Sequence, residues 1–131
     1  MPFKKALFGY RRSNGFVGRV VNTVPAKANS DLINADQLVG SIAVVKRGGC
    51  KPHEKARRVM AAGATALIVV NTKDKPQKLK LGEDSDEEDI EDILIPVLCV
   101  PSSSAASLED GTFVECKLAL LWYRITACTG H

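Results

Sequence analysis

The sequence predicts a single α+β domain, mainly β, with two short helices and one parallel strand–helix–strand crossover. Three observations carry that class. Apolar runs of strand length recur along the chain, helical periodicity is confined to brief stretches, and one such stretch lies between two apolar runs. A chain of 131 residues buries a real core without disulfide staples, and 45% apolar with 25% charged residues is ordinary for a globular domain. The expected core spans residues 16–124, with a mobile charged loop at 72–92 and flexible tails at 1–6 and 125–131.

At the start, Phe3, Leu7, Phe8 and Tyr10 are spaced among Lys4, Lys5, Arg11 and Arg12, which suits an edge strand or an ordered arm. Phe16–Val24 has strand composition and Pro25 ends it. Residues 26–34 are rich in turn formers and read as a loop with about one helical turn.

The stretch from Gly40 to Asn71 organises the rest. Ile42–Val45 is an apolar run long enough for a strand, and Gly48-Gly49 breaks it with backbone angles that other residues avoid. Pro52 suits the first turn of a helix, where its missing N–H costs nothing. Ala56, Val59, Met60 and Gly63 then share one helical face, while Lys51, Lys55 and Arg58 recur on the other, with Glu54 set to pair with Arg58. Gly63 ends the helix, and Ala64–Val70 is apolar almost throughout, as in a strand buried on both faces. Strand, glycine turn, helix and strand is also the plan of a nucleotide-binding unit. Here the turn lacks both the G-x-G-x-x-G spacing and the G-K-[ST] ending that cradle phosphate.

Beyond Asn71, Lys73, Lys75, Lys78 and Lys80 precede the acidic run 83–92, and a loop of like charges buries little. Ile93–Val100 is again a strand, with Pro96 early in it. Ser102–Ser104 suit the cap of a short helix through Leu108, stopped by Gly111. From Thr112 to Arg124, Val114, Cys116, Leu118, Leu120 and Trp122 alternate with other residues, predicting one half-buried antiparallel strand.

Charge is unevenly placed. Residues 83–92 hold eight of the 15 acidic groups, so the rest of the chain carries a balance of +11 behind a net +3. The acidic run has three readings: a solvated loop, a tethered competitor folded onto the basic surface, or a loose Ca²⁺ site. Asp89 stands where an EF-hand loop needs glycine, which weakens the third. Ser85, followed by Asp86-Glu87-Glu88, suits an acid-directed kinase and is a candidate regulatory site. Nucleic acid is not the expected partner, because aromatic stacking platforms are scarce and no groove-reading motif is present. No run approaches the roughly 18 apolar residues of a membrane span. The N-terminus has no apolar h-region, which favours an intracellular chain or one excised from a longer protein. Of the four cysteines, Cys99 and Cys116 read as small buried hydrophobes, and all four as free thiols.

The central unit and its flanks resemble the protease-associated, or PA, domain. The resemblance rests on Leu38–Cys50 (LVGSIAVVKRGGC), then Lys55, Ala61-Ala62-Gly63-Ala64, Leu67–Asn71 and Ile95-Pro96-Val97, with a weaker match at Pro25 and Leu32-Ile33-Asn34. It covers roughly residues 7–122, and several motifs in order are more specific than R-G-x-C alone. It implies a partly open β-barrel or sandwich that is non-catalytic, binds protein segments and needs no cofactor. The family is often endomembrane or secreted. Two features depart from it: Pro52 replaces an aromatic residue common two positions after the motif cysteine, and Asn29 stands in the loop where many secreted members have a cysteine.

The expected function is therefore protein or peptide binding, with a peptidase or sorting cargo as partner. The contact surface expected is Lys46, Arg47, Gly48, Gly49 and Lys51 of the turn, Lys55 and Arg58 of the helix, and the loop 72–92; peptide addition to a strand edge is one mode. The alternative is chemistry at Cys50, which lies among cations at a helix start with His53 three residues on. Cys50-x-x-His53 and Cys128-x-x-His131 also repeat a spacing that supplies four zinc ligands, although chance produces such short matches readily.

Overall fold

The computed structural model describes residues 4–5, 15–75, 93–117 and 122–126. Seven strands form one mixed sheet: β1 (Lys4–Lys5), β2 (Gly15–Asn22), β3 (Ile42–Lys46), β4 (Ala66–Val70), β5 (Val97–Val100), β6 (Phe113–Lys117) and β7 (Trp122–Thr126). Their order is β1-β5-β4-β3-β2-β6-β7, with β1 and β7 at the two ends of the row of described strands. β2, β3, β4 and β5 run parallel, while β1, β6 and β7 join antiparallel.

The sheet curls because β2 serves two partners. Its residues 15–19 pair with β6 and residues 20–22 with β3. β3, β4 and β5 end level with one another, Lys46 opposite Val70 and Val70 opposite Val100. Every residue of β4 is buried, with Leu67, Ile68 and Val69 wholly inaccessible. Each such side chain contributes about 1.5–3 kcal/mol by leaving water. Alternation sends Ala43, Val45, Leu67, Val69 and Cys99 to one core beneath the helix α1 (Pro52–Ala61), and Ile42, Val44, Ile68 and Leu98 to a second core closed by Val114 and Leu108.

Helix α1 begins where proline was expected to open it. Glu54 Oε2 accepts from the Lys51 N–H at 3.2 Å, while Arg58, its expected i+4 partner, reaches across to Ala28 O. At the other end the Gly63 N–H donates to Met60 O and the Ala64 N–H to Val59 O, the paired bonds of a Schellman cap. Gly63 has φ +97°, and a Cβ there would stand 3.2 Å from Val39 Cα, so both backbone and packing ask for glycine.

The structure corrects several expectations. The single strand over 112–124 is a hairpin, β6 and β7, with Lys117 opposite Trp122. Residues 118–121, Leu-Ala-Leu-Leu, contain no glycine, proline or asparagine, so the alternating pattern ran through the connection unmarked. Position 122 thereby joins the register row of Phe113 and Glu115 rather than that of Val114 and Cys116. Strands also reach into both expected tails, at Lys4–Lys5 and at residues 125–126. Of the two readings of the N-terminus, the edge strand is realised at Lys4–Lys5, against Cys99 and Leu98. The helical turn expected within 26–34 lies at Ala35–Leu38, and the second helix, Ser102–Ser107, is 3₁₀ with Pro101 rather than serine at its cap. A further correction concerns Lys55 and belongs to the site.

Candidate functional site at the carboxyl end of the parallel strands

The site is built where β3 gives way to α1. The Arg47 N–H donates to Val70 O at 3.0 Å, which ties the start of the turn to β4. Arg47 Nη1 is 3.3 Å from Asn71 Oδ1. Gly49, at φ +82°, lies so close to the loop after β2 that a Cβ would stand 2.8 Å from Asn29 Nδ2. Asn29, the residue standing where secreted relatives of the resembled family carry a cysteine, thus packs directly beside the residue preceding Cys50.

That loop is held by Lys55 and Arg58. The Lys55 ammonium donates to Lys27 O and to Gly48 O, bridging the loop and the glycine turn. Arg58 Nη1 donates to Ala28 O at 2.9 Å and lies 3.6 Å from Cys50 Sγ. Cys50 Sγ itself is 3.8 Å from Ala28 O. Ala28 is wholly buried at φ +47°, a left-handed conformation costly for a residue with a Cβ. Three side chains from the turn and helix therefore converge on two consecutive carbonyls of one upstream loop.

Lys55 was expected on the solvent face with the partner-contact residues. It is 0% exposed, so its side chain offers no surface to a partner. Burial is the main cause of its lowered pKa; the Cys50 thiol opposes the shift, and the cations Lys27 and Arg58 reinforce it. A buried ammonium is tolerated only with hydrogen-bond partners, which the two carbonyls supply. Helical periodicity could not reveal this, because the cover comes from residues 27–29 and not from α1 itself.

The other expected contact residues are brought together. Lys46 and Gly49 are exposed, and Arg47, Gly48, Lys51 and Arg58 are half-buried. Cys50 is half-buried, and His53 is 3% exposed on the first turn of α1. Among the described residues, Cys50, Cys99 and Cys116 form no disulfide with one another. Among the described residues no three of His, Cys, Asp and Glu gather as metal ligands. Cys128, His131 and Ser85 lie outside the described residues, as does the acidic run. No described helix is long and apolar enough to cross a membrane. Lys27 and Asn29 are the site residues that sequence patterns missed, since nothing in a turn-rich loop marks where it docks.

The PA domain family model matches residues 16–108. Signal peptide peptidase-like 3 of Oryza sativa subsp. japonica is 32% identical over 100 residues, covering 76% of this chain and 18% of that protein. The human ER degradation-enhancing alpha-mannosidase-like protein 3 is 30% identical over 106 residues, covering 77% of this chain and 11% of that protein. The chain thus spans less than a fifth of the length of these curated relatives. In fold, a zinc aminopeptidase from Bacillus subtilis aligns over 100% of this chain and 29% of its own, with a TM-score of 0.63 at 21% identity. The matched span takes in the glycine turn, the Lys55 bridge and the docked loop, and on that basis the chain belongs to the PA domain family.

Proposed function

We propose that the chain is an accessory module that binds a protein or peptide and performs no chemistry of its own. Lys55 carries this reading: Lys55 and Arg58, expected to face a partner, and the Cys50 thiol, on which chemistry would rest, are turned onto backbone carbonyls of residues 27, 28 and 48. Their role is to hold a loop, which leaves Lys46, Arg47, Gly48, Gly49 and Lys51 as the outward surface. The relatives lend support, since the same module accompanies proteins named as peptidase-like and as mannosidase-like. A part shared across such different names fits recognition or positioning better than either reaction. A peptidase or a sorting cargo is the class of partner proposed. An intracellular location, the ER included, accords with the human relative's name; fractionation of the tagged protein checks it, with recovery in the medium counting against it.

The test is selection of displayed random peptides on the 131-residue chain, followed by amide chemical-shift mapping. Saturable binding that shifts the amides of Lys46–Lys51 is expected. An absence of enriched peptides, or shifts confined to β6 and β7, would sink the proposal. Cys50→Ser is expected to retain binding; its loss in a folded protein would favour thiol chemistry instead.

A further inference from the structure

We propose that the basic rim at the carboxyl ends of the parallel strands, formed by Lys27, Lys46, Arg47, Lys73 and Lys75, docks an acidic peptide segment of the partner. This rests on the protein-binding reading above and names the chemistry of what is bound.

These five residues come from three separated stretches, and only the fold joins them. Lys46 closes β3 level with the end of β4, which leads directly into Lys73 and Lys75. The Lys46 N–H donates to Ala26 O at 2.7 Å, drawing the loop of Lys27 alongside. The Lys27 ammonium sits 3.8 Å from where a Cβ on Gly48 would be. Arg47 Nη1 meets Asn71 Oδ1, and Asn71 Nδ2 in turn donates to Lys75 O at 2.8 Å. Lys73 O accepts from the Ser102 N–H at 3.0 Å, which anchors the far end to the chain after β5. The backbone beneath the rim is therefore fixed by hydrogen bonds.

Lys27, Lys46, Lys73 and Lys75 are all exposed, and no carboxylate among the described residues pairs with them. The acidic groups nearby are committed elsewhere. Asp74 Oδ1 accepts from the Ser103 N–H at 3.1 Å, Asp110 Oδ1 from the Asn22 N–H at 2.7 Å, and Glu54 from the Lys51 N–H. A hydrogen-bonded carboxylate keeps its charge, so Asp74 leaves the five cations a balance of +4, and such an excess of one sign attracts a flexible anion and raises its rate of encounter. A peptide fits better than single-stranded nucleic acid, which needs stacking platforms: no aromatic residue is among the five of the rim, and the exposed Phe113 lies on β6. Lysines present compact charges without a fixed fork, as suits carboxylates carried on a mobile chain.

The probe is a fluorescent ten-residue peptide of alternating Glu and Ser, compared with its Gln-Ser counterpart by anisotropy. It is titrated into the wild-type chain and into a full-length variant whose carboxylates at 83–92 are replaced by amides, so that the chain's own acidic run cannot mask binding. The Glu peptide is expected to bind at least one of the two chains, and to weaken as salt rises. Lys46→Glu/Lys73→Glu/Lys75→Glu is expected to weaken it by about 10- to 100-fold, whereas Arg19→Glu, at an exposed position of β2, leaves it unchanged. Equal affinity for the Gln peptide, no effect of the triple reversal, or failure to bind either chain overturns the inference. In each case the displayed-peptide selection above still decides protein binding separately. Tighter, rim-dependent binding of oligo-uridylate or of phosphatidylserine vesicles overturns it in favour of those ligands.

Discussion

Lys55→Met is the sharpest test of the bridge between loop and turn. Methionine keeps an unbranched apolar stem of similar length in the buried channel, so the packing of Lys55 survives and only the ammonium is lost. Lys27 O and Gly48 O then lack their donor. An orphaned carbonyl costs about 1–3 kcal/mol. Lys27 is exposed and Gly48 half-buried, so water recovers part of that cost, and removing a buried charge recovers more. A net loss of about 2–3 kcal/mol is expected, which for a chain of this size lowers Tm by roughly 8–12 °C. The pH dependence is equally specific. The folded pKa of Lys55 lies below its ordinary 10.5, so between those two values the unfolded chain holds more protons. Wild-type stability therefore gains a contribution as pH rises through that window, absent below it, and Lys55→Met lacks this gain. Denaturant titrations from neutral pH to pH 10.5 measure both effects. Amide exchange adds a local readout: the Lys46 N–H, bonded to Ala26 O, should lose more protection than the amides of β4. A Tm within about 2 °C of wild type, or parallel pH profiles for the two proteins, would refute the reasoning.

Three further outcomes follow from the same geometry. Gly48 and Gly49 both have positive φ, but only at Gly49 does a Cβ meet Asn29, at 2.8 Å. Each alanine variant costs about 1–2 kcal/mol in backbone strain, and Gly49→Ala should cost measurably more in urea unfolding; equal losses would count against close docking of the loop. Iodoacetamide should label half-buried Cys50 in the native protein well before Cys99 and Cys116, with peptide mass mapping as the check; simultaneous labelling would contradict the burial described. The hydrogen bonds from Ser103 hold the Asp74 carboxyl below its ordinary 3.8. Its contribution to stability is present above that value and lost as pH falls through the folded pKa, so Asp74→Asn should show a shallower loss in acid. An unchanged acid limb would show that this contact is not a stabilising one.

What the amino-acid order determines alone is the β3–α1–β4 crossover and the buried character of its strands. Periodicity of 3.6 in Ala56, Val59 and Met60, and continuous apolar runs on either side, report local burial directly, and the punctuation at Pro52 and Gly63 marks the ends. The glycine turn and the motif around Cys50 were likewise legible, because glycine is demanded there by backbone angle and close approach. Tertiary structure decided the rest. The hairpin of β6 and β7 was hidden because alternation persists through a connection without turn residues. The burial of Lys55 was hidden because amphipathic patterning describes the face a helix turns to its own sheet, not the cover that residues 27–29 bring from the other side of the chain. The basic rim was hidden for the same reason: Lys27, Lys46 and Lys75 are scattered in sequence and adjacent only because parallel strands finish at one level. A lysine's identity sets its charge, but only its surroundings decide whether that charge clamps a loop from within or faces a partner.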